Sequence, residues 1–169
     1  MRRAPAVLTA ALAAVLLTAC AGEDRAQTRT TPAAVVPSDR PKITVPSGPP
    51  PTRLVTKDIR TGTGALALPG KVVTVHYVGA LYRNGKEFDA SWDRGHPFTF
   101  RLGNQDVIPG WDQGVLSMHV GGRRELIIPP DLAYGAEGRP PEIPPSSTLI
   151  FVVDLISVSG DVGGADGAQ

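Results

Sequence analysis

Hydrophobic and polar residues alternate with a period of two through much of the second half of the chain. The clearest case has Val73, Val75 and Tyr77 on one face and the intervening Thr74 and His76 on the other. This spacing is typical of a β-strand with one buried face. Similar alternation predicts strands over residues 98–102, 126–128 and 149–155, and a weaker opening strand over residues 54–60.

The dipeptide Asn84-Gly85 follows the first clear strand and marks a turn. Asn and Gly both tolerate the positive φ angles of a type I′ hairpin. The segment through Phe88 is therefore predicted to fold back antiparallel on the preceding strand.

One short segment has the periodicity of a helix. Pro109 suits a first helical position because its missing N–H would have no partner there. Trp111, Val115 and Met118 then recur at the helical spacing i, i+4, i+7. We expect a helix of two or three turns packed against five or six antiparallel strands, which defines an α+β domain.

The N-terminus has the pattern of a signal peptide over residues 1–19. Arg2 and Arg3 precede an uncharged apolar run over residues 4–19, which stops at Cys20. The run has 16 residues, whereas a membrane-spanning helix needs about 20, so a permanent span would be short.

The residues Leu17-Thr18-Ala19-Cys20 resemble the bacterial lipobox, in which a lipid is attached to the cysteine sulfur before cleavage. This resemblance implies that Cys20 becomes the lipid-anchored N-terminus of an extracytoplasmic protein. The alternative is an incidental cysteine in an ordinary signal sequence. Because Cys20 is the only cysteine, no disulfide can form within the chain.

The rest of the chain divides by composition. Residues 20–53 are rich in Pro, Thr, Ala and Ser and contain no aromatic residue, so they bury too little apolar surface to offset the entropy of ordering. We expect a disordered Pro/Thr-rich tether there, a domain over residues 54–158, and a flexible Gly/Asp/Ala-rich tail over residues 159–169.

The charge balance excludes one class of partner. Lys and Arg total 17 and Asp and Glu total 16, which gives a formal net charge of +1. Binding to a phosphate backbone requires an excess of positive charge, so nucleic acid is not an expected partner. Removal of residues 1–19 takes away two arginines and leaves a nearly neutral mature chain.

The side chains of common hydrolases and metalloenzymes are missing or isolated. His76, His96 and His119 stand apart, no Gly-x-Ser-x-Gly motif occurs, and no pair of ligands has the spacing of a zinc site. We expect no metal, no cofactor, and structural or surface roles for the three histidines. Candidate chemistry lies instead in residues 107–111 at the helix entry and in a 19-residue loop with six prolines, residues 129–147.

Six short motifs occur in order between residues 54 and 158. They are Val75-His76-Tyr77, Gly85-Lys86-Glu87-Phe88-Asp89, Pro97-Phe98-Thr99-Phe100, Val107-Ile108-Pro109-Gly110-Trp111, Ala133-Tyr134-Gly135, and Ile143-Pro144-Pro145 leading into Leu149-Ile150-Phe151. In these motifs the chain resembles the FKBP-type peptidyl-prolyl cis-trans isomerases, the immunophilins that bind tacrolimus and rapamycin. The resemblance implies an antiparallel sheet wrapped around one short helix, proline-containing unfolded or exported polypeptides as substrates, and macrolide ligands. We also expect a monomer.

The resemblance implies a pocket for the substrate proline with Trp111 as its floor. The catalytic residues would be Tyr77, Phe88, Asp89, Ile108, Trp111, Tyr134 and Phe151, and the substrate-binding residues Phe98, Val107, Arg139, Glu142 and Ile143. The Ile108 N–H and the Tyr134 hydroxyl would hold the carbonyl groups that flank the twisting bond. Asp89 would tune the electrostatics without acting as a general base, whereas Tyr82 and Trp92 are assigned to core packing.

An apolar aromatic pocket suits the chemistry of this reaction. Rotation about an X–Pro bond crosses a barrier of about 18–20 kcal/mol because the twisted state loses amide resonance. A pocket that strips water from the imide carbonyl and fits the twisted bond lowers this barrier, and no proton has to leave carbon. The alternative function is a non-catalytic module that binds proline segments or holds unfolded chains; the absence of a chaperone-like insertion between Tyr77 and Phe151 favours the catalyst.

Three residues of the long loop depart from the family pattern. Arg139 stands where histidine is usual, Pro141 where glycine is common, and Glu142 where isoleucine often flanks the pocket. These departures bear on peptide preference and macrolide affinity. Glu142 is expected to favour basic over acidic residues around the substrate proline, unless Arg139, three positions away, neutralises it. Asp106 replaces a usual glutamate that contributes mainly its backbone carbonyl, so little consequence is expected.

Overall fold

A computed structural model describes residues 37–160 of the chain. The regular elements are six strands and one α-helix: β1 (Val55–Arg60), β2 (Val72–Leu81), β3 (Glu87–Ala90), β4 (Phe98–Arg101), α1 (Pro109–Val115), β5 (Arg123–Ile128) and β6 (Leu149–Ser159). One turn of 3-10 helix, Pro130–Leu132, lies in the long loop before β6.

The six strands form one antiparallel sheet in the order β1-β5-β6-β2-β3, with β4 paired to the first half of β2. The central pair is β2 and β6, which pair from Val72 opposite Ser159 to Leu81 opposite Leu149, with one register shift between Thr74 and Val75. The predicted α+β architecture is confirmed, including the weak opening strand, which forms the exposed edge strand β1.

One face of the sheet packs on α1 and holds the larger core cluster. Leu126, Phe151 and Val153 point to this face, and Trp111 and Val115 meet them from the helix. The helix lies very close to β5, because a Cβ built on Gly110 would be 2.3 Å from Ile128. Small residues on α1 therefore set the separation between helix and sheet.

The opposite face of the sheet is also covered, which the alternation pattern did not predict. Ile127 and Ile150, whose sequence neighbours Leu126 and Phe151 face the helix, join a second apolar cluster with Ala80 and Tyr82. Every residue from Leu149 to Leu155 is buried. Strand β6 is therefore a central strand with two buried faces, which explains its nearly continuous run of apolar residues.

Part of the predicted tether covers this second cluster. Ile43 and Val45 pack against it, and Pro37 and Pro41 are buried as well. The prediction of a disordered segment over residues 20–53 is wrong for residues 37–45, because a few well-spaced apolar side chains supply the contact area that the composition as a whole lacks. These residues form no helix or strand.

The hairpin between β2 and β3 forms as predicted, but its turn is not type I′. Only Gly85 has a positive φ angle, of 69°, whereas a type I′ turn requires one at Asn84 as well. The connection is longer than two residues: Leu81 accepts a hydrogen bond from the Gly85 N–H, and the Lys86 carbonyl accepts one from the Leu81 N–H.

The helix is shorter than its apolar spacing indicates. It ends at Val115, and Ser117 has a φ of 63°, which breaks the helical path before Met118. Met118 is nevertheless 2% exposed and belongs to the core, which it reaches from the turn after the helix.

Several sequence predictions concern residues outside the described range. The signal peptide over residues 1–19, the lipid site at Cys20 and the tail beyond residue 160 lie there; the described start of that tail, Ser159, ends β6. Within residues 37–160, no helix combines the length and apolar character required to cross a membrane.

The close packing of α1 on β5 predicts the effect of one added methyl group. A Cβ on Gly114 would lie 2.7 Å from Leu126. Alanine favours a helix over glycine by about 1 kcal/mol, but overpacking a core costs about 1–3 kcal/mol. Gly114→Ala should therefore lower the free energy of unfolding in urea, while Gln113→Ala, at the adjacent exposed position, should change it by less than about 0.5 kcal/mol. A Gly114→Ala protein as stable as the wild type would contradict this packing.

Candidate active site

A cavity of about 430 Å³ opens between the helix-facing side of the sheet and the loops around α1. Apolar and aromatic side chains form most of its wall, and charged groups stand at its edge. Its lining residues are Tyr77, Phe88, Asp89, Arg94, Phe98, Asp106, Val107, Ile108, Trp111, Tyr134, Arg139 and Phe151. Ten of these are the residues that the resemblance implied, so the structure brings most of the predicted site together.

Aromatic rings in edge-to-face contact build the base of the cavity. The Trp111 ring centroid lies 5.0 Å from that of Tyr77 and 5.3 Å from that of Phe151, with both pairs nearly perpendicular. Phe88 meets Phe151 at 5.6 Å and 90°. Such contacts fix ring orientations, so the wall is rigid, and Trp111, which is 4% exposed, forms its floor.

Gly79 in β2 makes room for two of these rings. A Cβ at this position would lie 2.6 Å from Phe151 and 3.0 Å from Phe88. Any larger residue would push both rings into the cavity. The glycine thus determines how deep the cavity is at this wall.

Besides the buried indole N–H of Trp111, two hydrogen-bond donors on the wall have no partner among the described residues. Ile108 is the residue before α1, and its carbonyl accepts hydrogen bonds from Trp111 and Asp112, while its own N–H donates none within residues 37–160. The Tyr134 hydroxyl makes no hydrogen bond within the same residues. The loop before α1 is held by Asp112, whose carboxylate accepts from the Gly103 N–H at 2.8 Å.

A polar cluster of Tyr77, Asp89 and Arg94 forms one edge of the cavity. The Tyr77 hydroxyl donates to Asp89, and the Arg94 guanidinium pairs with Asp89 and donates to the Tyr77 oxygen at 2.8 Å. The Arg94 guanidinium carbon also lies 5.4 Å from the centre of the Tyr77 ring. Both oxygens of Asp89 therefore accept hydrogen bonds, which fixes the carboxylate and compensates its charge.

Burial and the neighbouring carboxylate hold the Tyr77 phenol in its protonated form. Removal of the ring from water disfavours the phenolate, and the hydrogen bond to Asp89 adds to this effect. Together they raise the pKa of Tyr77 to about 12. The hydroxyl is therefore a stable donor to Asp89 over the whole physiological range of pH.

The two remaining predicted residues, Glu142 and Ile143, lie beside the main cavity. They line an adjoining hollow of about 380 Å³ together with Phe88, Asp89, Tyr134 and Arg139. Ile143 is 3% exposed and packs in the core, whereas Glu142 is on the surface. Its side chain is therefore at the rim and not on the wall of the main cavity.

Arg139 contacts Tyr134 and not Glu142. Its guanidinium carbon lies 5.9 Å from the centre of the Tyr134 ring, and among the described residues no ion pair joins Arg139 to Glu142. The Glu142 carboxylate is therefore not neutralised by a contact with Arg139 in this structure.

Sequence reasoning missed Arg94 and assigned Asp106 little consequence. Arg94 is 17 residues from its partner Tyr77, and no local spacing pairs the two. The Asp106 carboxylate accepts hydrogen bonds from the Arg101 N–H and the Asn104 side chain. It therefore folds back onto its own turn at the edge of the cavity.

Of the two aromatic residues assigned to core packing, Tyr82 is in the core, whereas Trp92 is only partly buried and belongs to neither apolar cluster. Tyr82 is buried in the second apolar cluster. Trp92 stacks on His76 with ring centroids 4.4 Å apart, and His76 also shares a hydrogen bond with Ser91. Within residues 37–160, no group of three or more His, Cys, Asp or Glu side chains is arranged to hold a metal ion.

Comparison with known proteins identifies the family to which this fold and cavity belong. Residues 64–156 match the profile of the family described as FKBP-type peptidyl-prolyl cis-trans isomerase. The chain is 54% identical over 121 residues to an FK506-binding protein of Streptomyces anulatus, a match that covers 71% of this chain and 98% of the relative. It is 50% identical over 119 residues to a probable FK506-binding protein of Corynebacterium glutamicum, with 70% and 98% covered.

Solved structures agree with this assignment. The crystal structure of AtFKBP13 superposes with a TM-score of 0.59 at 44% identity, over 63% of this chain and 93% of that protein. FkpA from Escherichia coli gives a TM-score of 0.57 at 47% identity, over 62% of this chain and 47% of that protein. The chain belongs to the FKBP-type peptidyl-prolyl cis-trans isomerase family, and it catalyses cis–trans isomerisation of the peptide bond before proline.

The raised pKa of Tyr77 predicts a specific loss of stability in alkali. In the unfolded chain the phenol titrates near its ordinary value of 10.0, and in the folded protein near 12. Its contribution to stability is complete below about pH 10 and is lost as the pH rises towards 12, at up to about 1.4 kcal/mol per pH unit. The urea midpoint of the wild type should therefore fall more steeply between these values than that of Tyr77→Phe. Parallel slopes for the two proteins would show that Tyr77 titrates normally.

Proposed function

We propose that the protein accelerates X–Pro isomerisation in exported, incompletely folded polypeptides while anchored to the outer side of a bacterial membrane through a lipid on Cys20. The observation that carries the catalytic part is the rigid aromatic cavity with two unpartnered hydrogen-bond donors on its wall. The location rests on the sequence pattern before Cys20.

The cavity has the properties that this reaction requires. Spontaneous X–Pro exchange takes tens of seconds or more, and acceleration to milliseconds requires about 5–6 kcal/mol of preferential binding to the twisted bond. The planar imide has a polar, hydrated carbonyl, so transfer into an apolar cavity disfavours the planar form more than the twisted one. The Trp111 floor and the perpendicular Phe151 ring provide the surface against which the proline ring packs.

The two free donors hold the substrate on either side of the twisting bond. The Ile108 N–H and the Tyr134 hydroxyl each bind a backbone carbonyl of the peptide, which fixes the flanking segments while the imide rotates. Asp89, paired with Arg94, places a fixed ion pair beside the twisting carbonyl. It acts as a fixed charge and not as a base, because Tyr77 and Arg94 already occupy its two oxygens.

A non-catalytic holding module is the less favoured alternative, because the family is one of isomerases. The two functions differ in one measurable quantity. A catalyst present at a small fraction of the peptide concentration raises the exchange rate in proportion to its own concentration, whereas a holding module binds the peptide without turnover.

Removal of one donor tests the proposed substrate contacts. Tyr134→Phe keeps the ring and loses one neutral hydrogen bond, which is worth about 0.5–1.5 kcal/mol. The kcat/KM measured with a proline tetrapeptide should fall by roughly 2- to 12-fold.

Tyr82→Phe is the matched control, since Tyr82 lies in the second apolar cluster, away from the cavity. Its activity should stay within about twofold of the wild type. Equal kcat/KM values in the wild type and in Tyr134→Phe would show that the Tyr134 hydroxyl makes no productive contact with the substrate.

The same cavity is proposed to bind macrolides of the tacrolimus and rapamycin class. The relatives from Streptomyces anulatus and Corynebacterium glutamicum carry the description FK506-binding. The exposed rim of this chain differs from the family pattern at Arg139 and Glu142, so affinity for such ligands depends on whether they extend into the adjoining hollow.

Anchoring through Cys20 is testable in cells. A single acyl chain holds a protein only marginally at a membrane, whereas two or more buried chains hold it stably, at about 0.8 kcal/mol per CH₂. Full-length Cys20→Ala produced in a bacterial host should therefore leave the membrane fraction or remain unprocessed. A variant that is trimmed to normal size and still sediments with membranes would rule out the lipid anchor.

A further inference from the structure

Residues 37–45, here called the N-terminal strap, are held on the sheet by contacts that the family motifs do not include. Ile43 and Val45 pack on the apolar cluster of Ala80, Tyr82, Ile127 and Ile150. This cluster is on the face of the sheet away from the helix and the cavity. The strap is therefore fixed by buried side chains and not only by surface charges.

A charge network fixes the beginning of the strap. Arg123 pairs with Asp154, which is 0% exposed, and also with the carboxylate and the carbonyl of Asp39. Asp39 thus supplies a second partner to a guanidinium that already compensates a buried carboxylate. The next residue along the strap is Arg40, whose backbone position is set by these contacts.

Arg40 reaches from the strap to the segment that supplies one wall of the cavity. Its guanidinium binds the Glu87 carboxylate at 2.5 Å and also the Asp93 carboxylate. Glu87 directly precedes Phe88 and Asp89 in the sequence, and Asp93 directly precedes Arg94. The Arg40 guanidinium therefore binds a carboxylate near each end of the segment over residues 87–94.

Asp93 is next to Arg94, and its carboxylate would compete with Asp89 for the Arg94 guanidinium if Arg40 were absent. Glu87 would add to this negative charge from the other end of the segment. In the structure Arg40 engages both acids, and Arg94 remains on Asp89 and Tyr77. An exposed ion pair is weak when both partners are mobile, but here the strap holds Arg40 in place.

We propose that Arg40 is a positioning residue for the isomerase site: it occupies Glu87 and Asp93, so that Arg94 stays on Asp89 and Tyr77 at the edge of the cavity. This inference rests on the proposed function of that cavity. It makes the strap part of the catalytic domain, although no strap residue lines the cavity. It also implies that conditions that release the strap lower activity without any change in the cavity residues.

The test is kcat/KM for a proline tetrapeptide, measured on the full-length protein at low salt. Arg40→Ala should lower kcat/KM by about 3- to 10-fold with little change in the melting temperature, because the buried contacts of the strap remain. Lys42→Ala removes a neighbouring exposed cation of the strap that forms no ion pair with any residue in the range 37–160. This control should retain wild-type activity.

A second substitution separates competition for Arg94 from a general structural effect. In the double variant Arg40→Ala/Asp93→Asn the competing carboxylate is gone, so kcat/KM should return to within about twofold of the wild type. A purely structural role of Arg40 would leave the double variant as slow as Arg40→Ala.

Three results would overturn the proposal: full activity in Arg40→Ala, an equal loss in Lys42→Ala, or no recovery in the double variant. Lack of isomerase activity in the wild type would instead overturn the proposed function of the cavity. The two failures are therefore distinguishable.

Discussion

The packing of one two-turn helix against the middle of the sheet is the constraint on which the site depends. Glycines on α1 allow its backbone to approach β5 closely enough for Trp111 to reach between β2 and β6. Ile108 directly precedes the same helix, where an N–H has no intrahelical acceptor, and no described residue uses it. The floor of the cavity and one of its donors therefore both come from the position of this one helix.

The polar edge of the cavity is held by hydrogen bonds between paired charges, whereas the floor is held by the packing of apolar side chains. Tyr77, Asp89 and Arg94 form a closed set of hydrogen bonds, and a neutral phenol with a pKa of about 12 is part of it. A fixed carboxylate beside an apolar wall provides an electrostatic field without solvent reorganisation, which is the most effective form of such stabilisation. The aromatic wall and the fixed Asp89 carboxylate therefore both act on the X–Pro bond of the substrate.

Alternation of apolar residues predicted most of the strands, the Asn84-Gly85 turn predicted the hairpin strand that follows β2, and the helical spacing after Pro109 predicted the short helix. The family motifs added the aromatic wall, because those residues occur in contiguous segments such as 107–111. Two features had no local signal. Arg94 meets Tyr77 only through the fold, and Ile43 and Val45 stand within a proline-rich segment whose composition is that of a disordered tether. The two buried faces of β6 do have a local signal, its nearly continuous apolar run, but the alternation of Leu149, Phe151 and Val153 accounts for only one of these faces.

The coverage of the second sheet face sets the N-terminal boundary of a stable domain. A fragment that began at Leu54 would retain all cavity residues, but it would expose Ala80, Tyr82, Ile127 and Ile150 together on two adjacent strands and the hairpin beside them. A contiguous apolar patch of this kind promotes association between copies. The fragment would also lack Asp39, so the Arg123 guanidinium that pairs with buried Asp154 would lose its second carboxylate partner. We therefore expect a fragment that begins at Leu54 to self-associate more than one that begins near Pro37, for reasons unrelated to its active site.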